Sequence, residues 1–107
     1  MLTNNHQVNY TIIPANLQAN ILKVKIDTYT MQPHYLISIP EINFEYWTFE
    51  SNLNLWRDCK QFTEMEKDIF KAGSERARQV RKFYNNEINI SELDRENPLK
   101  KYPALIN

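Results

Sequence analysis

The spacing of apolar residues changes near residue 50, and this change restricts the possible folds more than any other feature of the chain. Before it, apolar side chains recur at every second position, and after it they recur at every third or fourth. The first spacing is typical of half-buried strands and the second of amphipathic helices. Since 107 residues make one domain of ordinary size, we predict a single α+β domain over 1–107. Its expected parts are a strand-rich region over 7–50, a helical region over 51–96 and an extended tail over 97–107.

Four runs in the strand-rich region have strand patterning. They cover residues 7–13, 21–30, 35–39 and 42–49. In the second run, Leu22, Val24 and Ile26 alternate with charged residues, as expected of a strand with one buried face. The short connections predict a four-stranded antiparallel meander. Pro40 interrupts the last two runs, which leaves open whether they are separate strands or one bent edge strand.

A long amphipathic helix is predicted in the second half of the chain. Thr63 followed by Glu66 matches a capping box, which places the start of the helix at about Glu64. The asparagine pair that begins at Asn85 supplies a stop, because asparagine accepts the left-handed conformation found at helix ends. Short flanking helices are predicted after Ser51 and near residues 91–94, where serine side chains can cap them.

The predicted long helix carries its bases on one side and most of its apolar residues on the other. Residues 71–82 contain five bases and one acid. We call the basic side the basic ridge, and its members are Lys71, Arg78, Arg81 and Lys82. Such a strip is usually a solvated helix face. The alternative is a docking ridge for an acidic protein surface or for a phosphate backbone.

Two residues within the apolar side of this helix need an explanation. Arg76 either pairs locally with a sheet carboxylate, or extends its apolar stem along the surface, or lies at a helix–helix or partner interface. Gly73 is the only glycine of the chain, and in a helix it costs about 1 kcal/mol relative to alanine. It therefore predicts a close approach to a neighbouring backbone, with a flexible hinge as the weaker alternative.

Residue counts exclude several classes of function. A single glycine rules out a glycine-rich phosphate loop, and a single cysteine rules out a disulfide framework or a cysteine-rich zinc site. Thirteen bases balance thirteen acids, which argues against a strongly basic nucleic-acid binder. The sequence contains neither a signal-peptide pattern nor an apolar run of membrane-spanning length. We therefore predict a cytoplasmic protein with no membrane partner, and the lone thiol fits a reducing compartment.

No arrangement of residues in the sequence predicts catalysis. Cys59 has no local base, and His6 and His34 are predicted in a loose terminus and a turn, without the spaced partners of a metal site. Glu41 and Glu45 lie on the same side of a strand, about 13 Å apart, whereas glycoside chemistry needs carboxylates about 5 to 9.5 Å apart. We therefore expect no enzyme activity, no cofactor and no metal.

The aromatic run at residues 44–49 indicates a surface that needs a cover. Phe44 and Tyr46 belong to one face of the predicted strand, and Trp47 and Phe49 belong to the other, so the end of this strand is apolar on both faces. Trp47 and Phe49 therefore need a cover. The cover is either the segment around Trp56, or the C-terminal tail, or a partner, which includes a second copy of the chain.

These features favour a small non-enzymatic protein-binding module of the inhibitor, immunity or adaptor type, which masks a partner surface. Its expected contacts are Trp47, Phe49 and the basic ridge, because aromatic residues and arginine dominate interface hot spots. The expected partner is another protein with an acidic surface, and a homodimer is possible. Stand-alone proteins of this kind are common in phages and mobile elements, which suggests an accessory role there.

The alternative is a single-stranded nucleic-acid-binding domain. If the second and fourth runs are neighbours or near-neighbours, several cationic and aromatic residues share the outer sheet face. These are Lys23, Lys25, Tyr29, Trp47 and Phe49. Bases stack on aromatic rings while lysines follow the phosphates. The zero net charge and the presence of Glu41 and Glu45 on the same face argue against this alternative.

Overall fold

A computed structural model describes residues 6–8, 11–13, 17–49 and 63–106. Two predictions lie outside these ranges, namely the short helix after Ser51, with its Trp56, and the surroundings of Cys59. Among the described residues no helix is both long enough and apolar enough to cross a bilayer.

The first predicted run does not join the main sheet. It forms a separate antiparallel ribbon of two strands, His6–Val8 (β1) and Thr11–Ile13 (β2). The described pairs run from His6 with Ile13 to Val8 with Thr11. The predicted four-stranded meander is therefore wrong. The physical reason is that alternating polarity specifies a pleated segment but not its pairing partner, and a short run can pair with itself.

The main sheet is antiparallel and has three strands. They are Asn20–Ile26 (β3), Pro33–Ile39 (β4) and Phe44–Phe49 (β5), with β4 in the centre. A single 3-10 turn, Pro40–Ile42, connects β4 to β5, and Asn43 follows it with a φ of 49°. The last two runs are thus separate strands. The mixed α+β class, with an antiparallel sheet followed by a long helix, is confirmed.

A bulge in β3 changes which of its residues face the core. The register with β4 shifts between Ile21 and Lys23, so two residues of β3 oppose one residue of β4 at this point. As a result Ile21 and Val24 are buried and Leu22 is 37% exposed. The predicted common face of Leu22 and Val24 is therefore wrong. Beyond the bulge, Lys23 and Lys25 share the face that points away from the core.

The long helix covers Glu64–Tyr84 (α1). Its predicted capping box is confirmed, because the Thr63 hydroxyl accepts from the Glu66 N–H at 3.3 Å while the Thr63 N–H donates to the Glu66 carboxylate at 3.3 Å. The predicted stop is also confirmed, since Asn85 is the C-cap residue and Asn86 has a φ of 61°.

The last part of the chain packs back onto α1 and β3. The second helix, Ile90–Arg95 (α2), is capped by Asn89, whose side chain accepts from the Glu92 N–H at 2.9 Å, and not by the predicted serine. The predicted extended tail instead winds two 3-10 turns, Pro98–Lys101 and Pro103–Leu105. Proline at the first position fixes φ near its helical value, which favours such turns.

The core lies between α1 and the inner face of the sheet. Its buried side chains are Ala19, Ile21, Val24, Tyr35, Ile37, Ile39, Tyr46, Ile69, Phe70, Ala72 and Leu99. A Cβ at Gly73 would lie 2.2 Å from the Tyr35 hydroxyl oxygen and 2.9 Å from Cζ of the same ring. The glycine therefore admits a side chain from β4, whereas the sequence predicts the approach of a backbone.

Candidate functional site

Cationic and aromatic side chains meet on the outer face of the sheet, the face opposite α1. Residues directly across two antiparallel strands share a face, and two such rows cross the three strands. We call their six members the outer-face cluster, which comprises Lys23, Leu36, Trp47, Lys25, His34 and Phe49. The structure thus brings together four of the five residues of the nucleic-acid alternative, because β3 and β5 flank β4. The fifth, Tyr29, is 95% exposed in the turn after β3.

Contacts within the outer-face cluster order its side chains. The Nζ atom of Lys25 lies 4.4 Å from the centroid of the Trp47 ring, a cation–π distance. The ring of His34 stacks on Phe49 with centroids 4.3 Å apart and an interplanar angle of 14°. His34 and Trp47 are 5.1 Å apart at 41°. The cluster therefore presents a continuous aromatic surface with a cation at its edge.

Trp47 is 41% exposed, and Phe49 is half-buried. Their placement on the face opposite Phe44 and Tyr46 confirms the prediction from alternation. The C-terminal tail is one of the two segments of the chain considered as a cover for Trp47 and Phe49. It packs against β3 and α1. Trp56 lies outside the described residues.

The sequence predicts His34 in a turn, whereas the residue lies in β4, the central strand of the main sheet. A signal that His34 belongs to this strand exists in the sequence, because the alternation of Tyr35, Ile37 and Ile39, extended back by one residue, puts His34 in phase with Leu36. Its neighbours on the flanking strands follow only from the strand pairing. Burial and, to a smaller extent, the charge of Lys25 lower the pKa of His34, while Asp27 acts in the opposite direction. The neutral ring is therefore the dominant form at pH 7.

Asp27 belongs to the turn beside this cluster and is held in place by two hydrogen bonds. Its carboxylate accepts from the Thr30 N–H at 2.7 Å and from the Thr30 hydroxyl at 2.8 Å. These bonds lower the pKa of Asp27, so the carboxylate stays ionised near His34. The turn thus supplies a fixed negative charge next to a lysine-bearing face.

The basic ridge lies on the other side of the molecule. Lys71, Arg78 and Lys82 project from the side of α1 opposite its buried residues. Arg78 forms an ion pair with Glu75, and Arg81 donates to the carbonyl of Met31 at 2.9 Å. Arg78 and Arg81 therefore have partners among the described residues, and the ridge faces away from the sheet that carries Trp47 and Phe49.

Arg76 lies at a helix–helix interface, one of the locations considered for it. Its Nη1 atom donates to the Leu93 carbonyl of α2 at 2.5 Å and to Gln79 at 3.3 Å. Burial lowers the pKa of its guanidinium, and Asp94 partly opposes this effect.

A second polar cluster has no counterpart in the sequence analysis. In it the Asp68 carboxylate accepts from the Tyr102 hydroxyl and pairs with Lys101. Pairing across 34 positions leaves no local signal.

Comparisons with known proteins identify no matching family model, no matching curated protein and no matching solved structure. Within the described part of the chain, no three side chains of His, Cys, Asp or Glu are grouped so that they could hold a metal ion. The feature that remains for a functional proposal is the outer-face cluster, with its exposed tryptophan and its ordered cation.

Proposed function

We propose that this protein is a small, cytoplasmic, non-enzymatic protein-binding module that masks the surface of another protein with its outer-face cluster. The observation that carries the proposal is the position of Lys25 over the half-exposed ring of Trp47, next to the stacked rings of His34 and Phe49. Tryptophan in such a setting offers a large contact area at a low entropic cost, and it is enriched among interface hot spots.

The partner surface that fits this cluster is acidic. Lys25 lies over the Trp47 ring, and Lys23 occupies the adjacent row of the same edge strand, where its Nζ atom also donates to the Ala104 carbonyl at 3.1 Å. Both positive charges therefore lie on this face, and that of Lys25 is the one in contact with the aromatic surface. Opposite charge across an interface speeds encounter and fixes orientation, while the aromatic centre supplies most of the affinity. A carboxylate near Lys25 and an apolar side chain on Trp47 would satisfy both parts of the cluster.

A protein partner is favoured over single-stranded nucleic acid because of how the rings are occupied. Phe49 is already stacked on His34 and Trp47 already lies under Lys25, which reduces the ring area left for bases. Glu45 continues the same face of β5 and would repel a phosphate chain that runs along the strand, whereas a protein partner can place its acidic residues beside Lys25 and away from Glu45. The net charge of zero adds no attraction for a polyanion.

An inhibitor, immunity or adaptor role suits such a module, since masking needs a surface and no bond-making chemistry. A phage or mobile-element accessory protein is the setting we propose for it. The basic ridge, with Lys71 and Lys82 exposed on the opposite side, is proposed as a contact for a separate acidic protein. The outer-face cluster is the primary contact.

The test is capture of partners from a lysate of the source organism, with and without nuclease, followed by titration of the purified partner. Trp47→Ala should weaken binding by about 10- to 30-fold, the loss typical of a hot-spot aromatic. Tyr29→Ala is the matched control, since it removes an aromatic ring that is 95% exposed and off the cluster. It should change affinity by less than about twofold.

Three results would contradict the proposal. Loss of the captured material on nuclease treatment would indicate nucleic acid instead. Equal effects of Trp47→Ala and Tyr29→Ala would remove the outer-face cluster from the interface. Recovery of this chain alone, with a concentration-dependent mass in sedimentation, would indicate a homodimer.

A further inference from the structure

His34 occupies the centre of one of the two rows of the outer-face cluster. It pairs with Lys25 on one side and with Phe49 on the other, and its ring is 5.1 Å from that of Trp47. Any change in the charge of this ring therefore acts on the lysine and on both aromatic rings at the same time. No other titratable group among the described residues has this position in the cluster.

Among the described residues, two charged groups act on the His34 ring. From β3 it meets Lys25, and from the turn after β3 it meets Asp27. In the described part of β5 its neighbours are the uncharged rings of Phe49 and Trp47, and Glu45 lies further along that strand. Burial and Lys25 lower the pKa of His34 more than Asp27 raises it. The ring therefore gains its proton at a lower pH than an ordinary histidine does.

We propose that His34 makes the outer-face cluster pH-sensitive, because protonation of its ring adds a positive charge between Lys25 and Phe49 and strengthens the binding of an acidic protein segment. The inference rests on the proposed function, since it concerns the same surface. It goes further by assigning a residue to the control of affinity, and it commits to carboxylate-bearing chain as the bound chemistry.

Two effects of the protonated ring act in the same direction. The face then carries the charges of Lys23, Lys25 and His34, which attract carboxylates more strongly than two lysines alone. The charge repulsion that lowers the His34 pKa also acts on Lys25, since coupling between two sites is reciprocal. A carboxylate of the partner placed between Lys25 and the protonated ring relieves this repulsion, so the protonated cluster binds the carboxylate more strongly than the neutral cluster does.

The first experiment needs no partner. The chain has two histidines, so NMR titration of their Cε1–H signals, assigned with His6→Gln and His34→Gln, gives the midpoint of each. His34 should titrate below 6.5, and Lys25→Gln should raise its midpoint while Asp27→Asn lowers it. The indole N–H signal of Trp47 should shift with the His34 midpoint in wild type and stay constant in His34→Gln. A His34 midpoint at or above 6.5, or a Trp47 signal that ignores it, would overturn the proposal.

The second experiment uses a hexa-aspartate peptide as the acidic probe, because its carboxylates stay ionised down to pH 5.5. Between pH 7.5 and 5.5 the affinity of wild type and of the control His6→Gln should rise about two- to fivefold, the range that one exposed ion pair supplies. The affinity of His34→Gln should stay constant. Equal gains in all three proteins, or no binding at either pH, would overturn the proposal.

The two proposals fail in different ways. If the captured partner proves insensitive to Trp47→Ala, the proposed function fails even where the His34 titration behaves as expected. If binding of that partner depends on Trp47 but is equally strong for wild type and His34→Gln at both pH values, only the proposed pH sensitivity fails.

Discussion

At the residue scale, the contact between Gly73 and Tyr35 shows how one position joins the two layers. Tyr35 is fully buried, its hydroxyl donates to the Phe70 carbonyl at 3.3 Å, and its ring meets that of Phe70 edge-on at 5.2 Å. The absence of a side chain at Gly73 is what lets the phenol reach the helix. A glycine in mid-helix indicates such an approach from sequence alone, but the approaching group comes from a distant strand.

Replacing Gly73 by alanine should therefore destabilise the fold. The new methyl group would collide with Tyr35, and overpacking of a filled core costs about 1 to 3 kcal/mol. The gain in helix propensity of about 1 kcal/mol offsets part of this loss. We expect a net decrease of about 0 to 2 kcal/mol in the free energy of unfolding, measured by urea denaturation.

The matched experiment places Gly73→Ala in a Tyr35→Phe background. The phenol oxygen is then absent, so the same glycine replacement should cost less than it does in wild type. An increase in stability on Gly73→Ala in the wild-type background would mean that the space beside Gly73 is open.

At the element scale, α1 is fixed at its start by the capping box and along its length by the tail. The Glu66 side chain is only 5% exposed, so its hydrogen bonds to Thr63 form in a partly dry setting. The tail attaches through Asp68 of α1 and through Lys23 of β3, whose Nζ atom donates to the Ala104 carbonyl at 3.1 Å. The helix and the sheet are thus joined both by the core and by the polar contacts of the tail.

Thr63→Ala should decrease the free energy of unfolding by about 1 kcal/mol, because the first turn of α1 loses its cap. Thr63→Ser keeps the hydroxyl and is the control, with an expected change of a few tenths of a kcal/mol. Both values come from urea denaturation followed by circular dichroism. Equal stability of the alanine and serine variants would contradict a role for the hydroxyl.

The contact between Asp68 and the tail predicts acid sensitivity. Hydrogen bonds from Tyr102 and Lys101 lower the pKa of Asp68 below its ordinary 3.8. The folded state therefore releases this proton more readily than the unfolded state, and the stabilisation is complete above pH 3.8 and disappears as the pH falls through the lowered value. Asp68→Asn should be less stable than wild type at pH 6, and the difference should shrink below pH 3.8.

Urea denaturation at a series of pH values checks this prediction. Glu64→Gln is the control, because Glu64 forms only an exposed ion pair with Lys67 at 3.5 Å in the same helix. A difference between Asp68→Asn and wild type that stays constant across the acid range would show that the tail does not depend on the ionised carboxylate.

At the scale of the whole molecule, the two layers separate the two candidate surfaces. The helix covers the inner face of the sheet, so the outer-face cluster and the outward side of α1 point in opposite directions. A small partner that rests on Trp47 does not reach Lys71 or Lys82. Residues that the sequence places in one expected interface therefore belong to two surfaces.

Charge reversal on each surface should thus affect the captured partner differently. Lys25→Glu should weaken binding about tenfold, since it removes a cation beside the aromatic centre and adds a repulsive charge. The double variant Lys71→Glu/Lys82→Glu should change the affinity of the same partner by less than about twofold. Isothermal titration with purified partner measures both, and a larger loss from the ridge variant would transfer the primary contact to the basic ridge.

Local signals account for what was predictable here. Three features depend on residues only a few positions apart, so short-range interactions determine them. They are the capping box at Thr63 and Glu66, the helix stop at Asn85, and the common face of Trp47 and Phe49. The division of β5 into two faces could be assigned in this way, whereas the structure was needed to show that the face with Trp47 is the exposed one. The membership of His34 in the outer-face cluster could not, because it depends on which strands pair with β4.

The sequence by itself determined the α+β class, the extent of α1 and the side of its strand on which Trp47 lies, since each follows from spacing along one element. Only the tertiary structure decided that the first run pairs with itself, that a bulge places Ile21 in the core, and that Lys25 lies over Trp47. These features depend on strand pairing, which brings distant residues into contact. The pairing in turn depends on how the whole core packs.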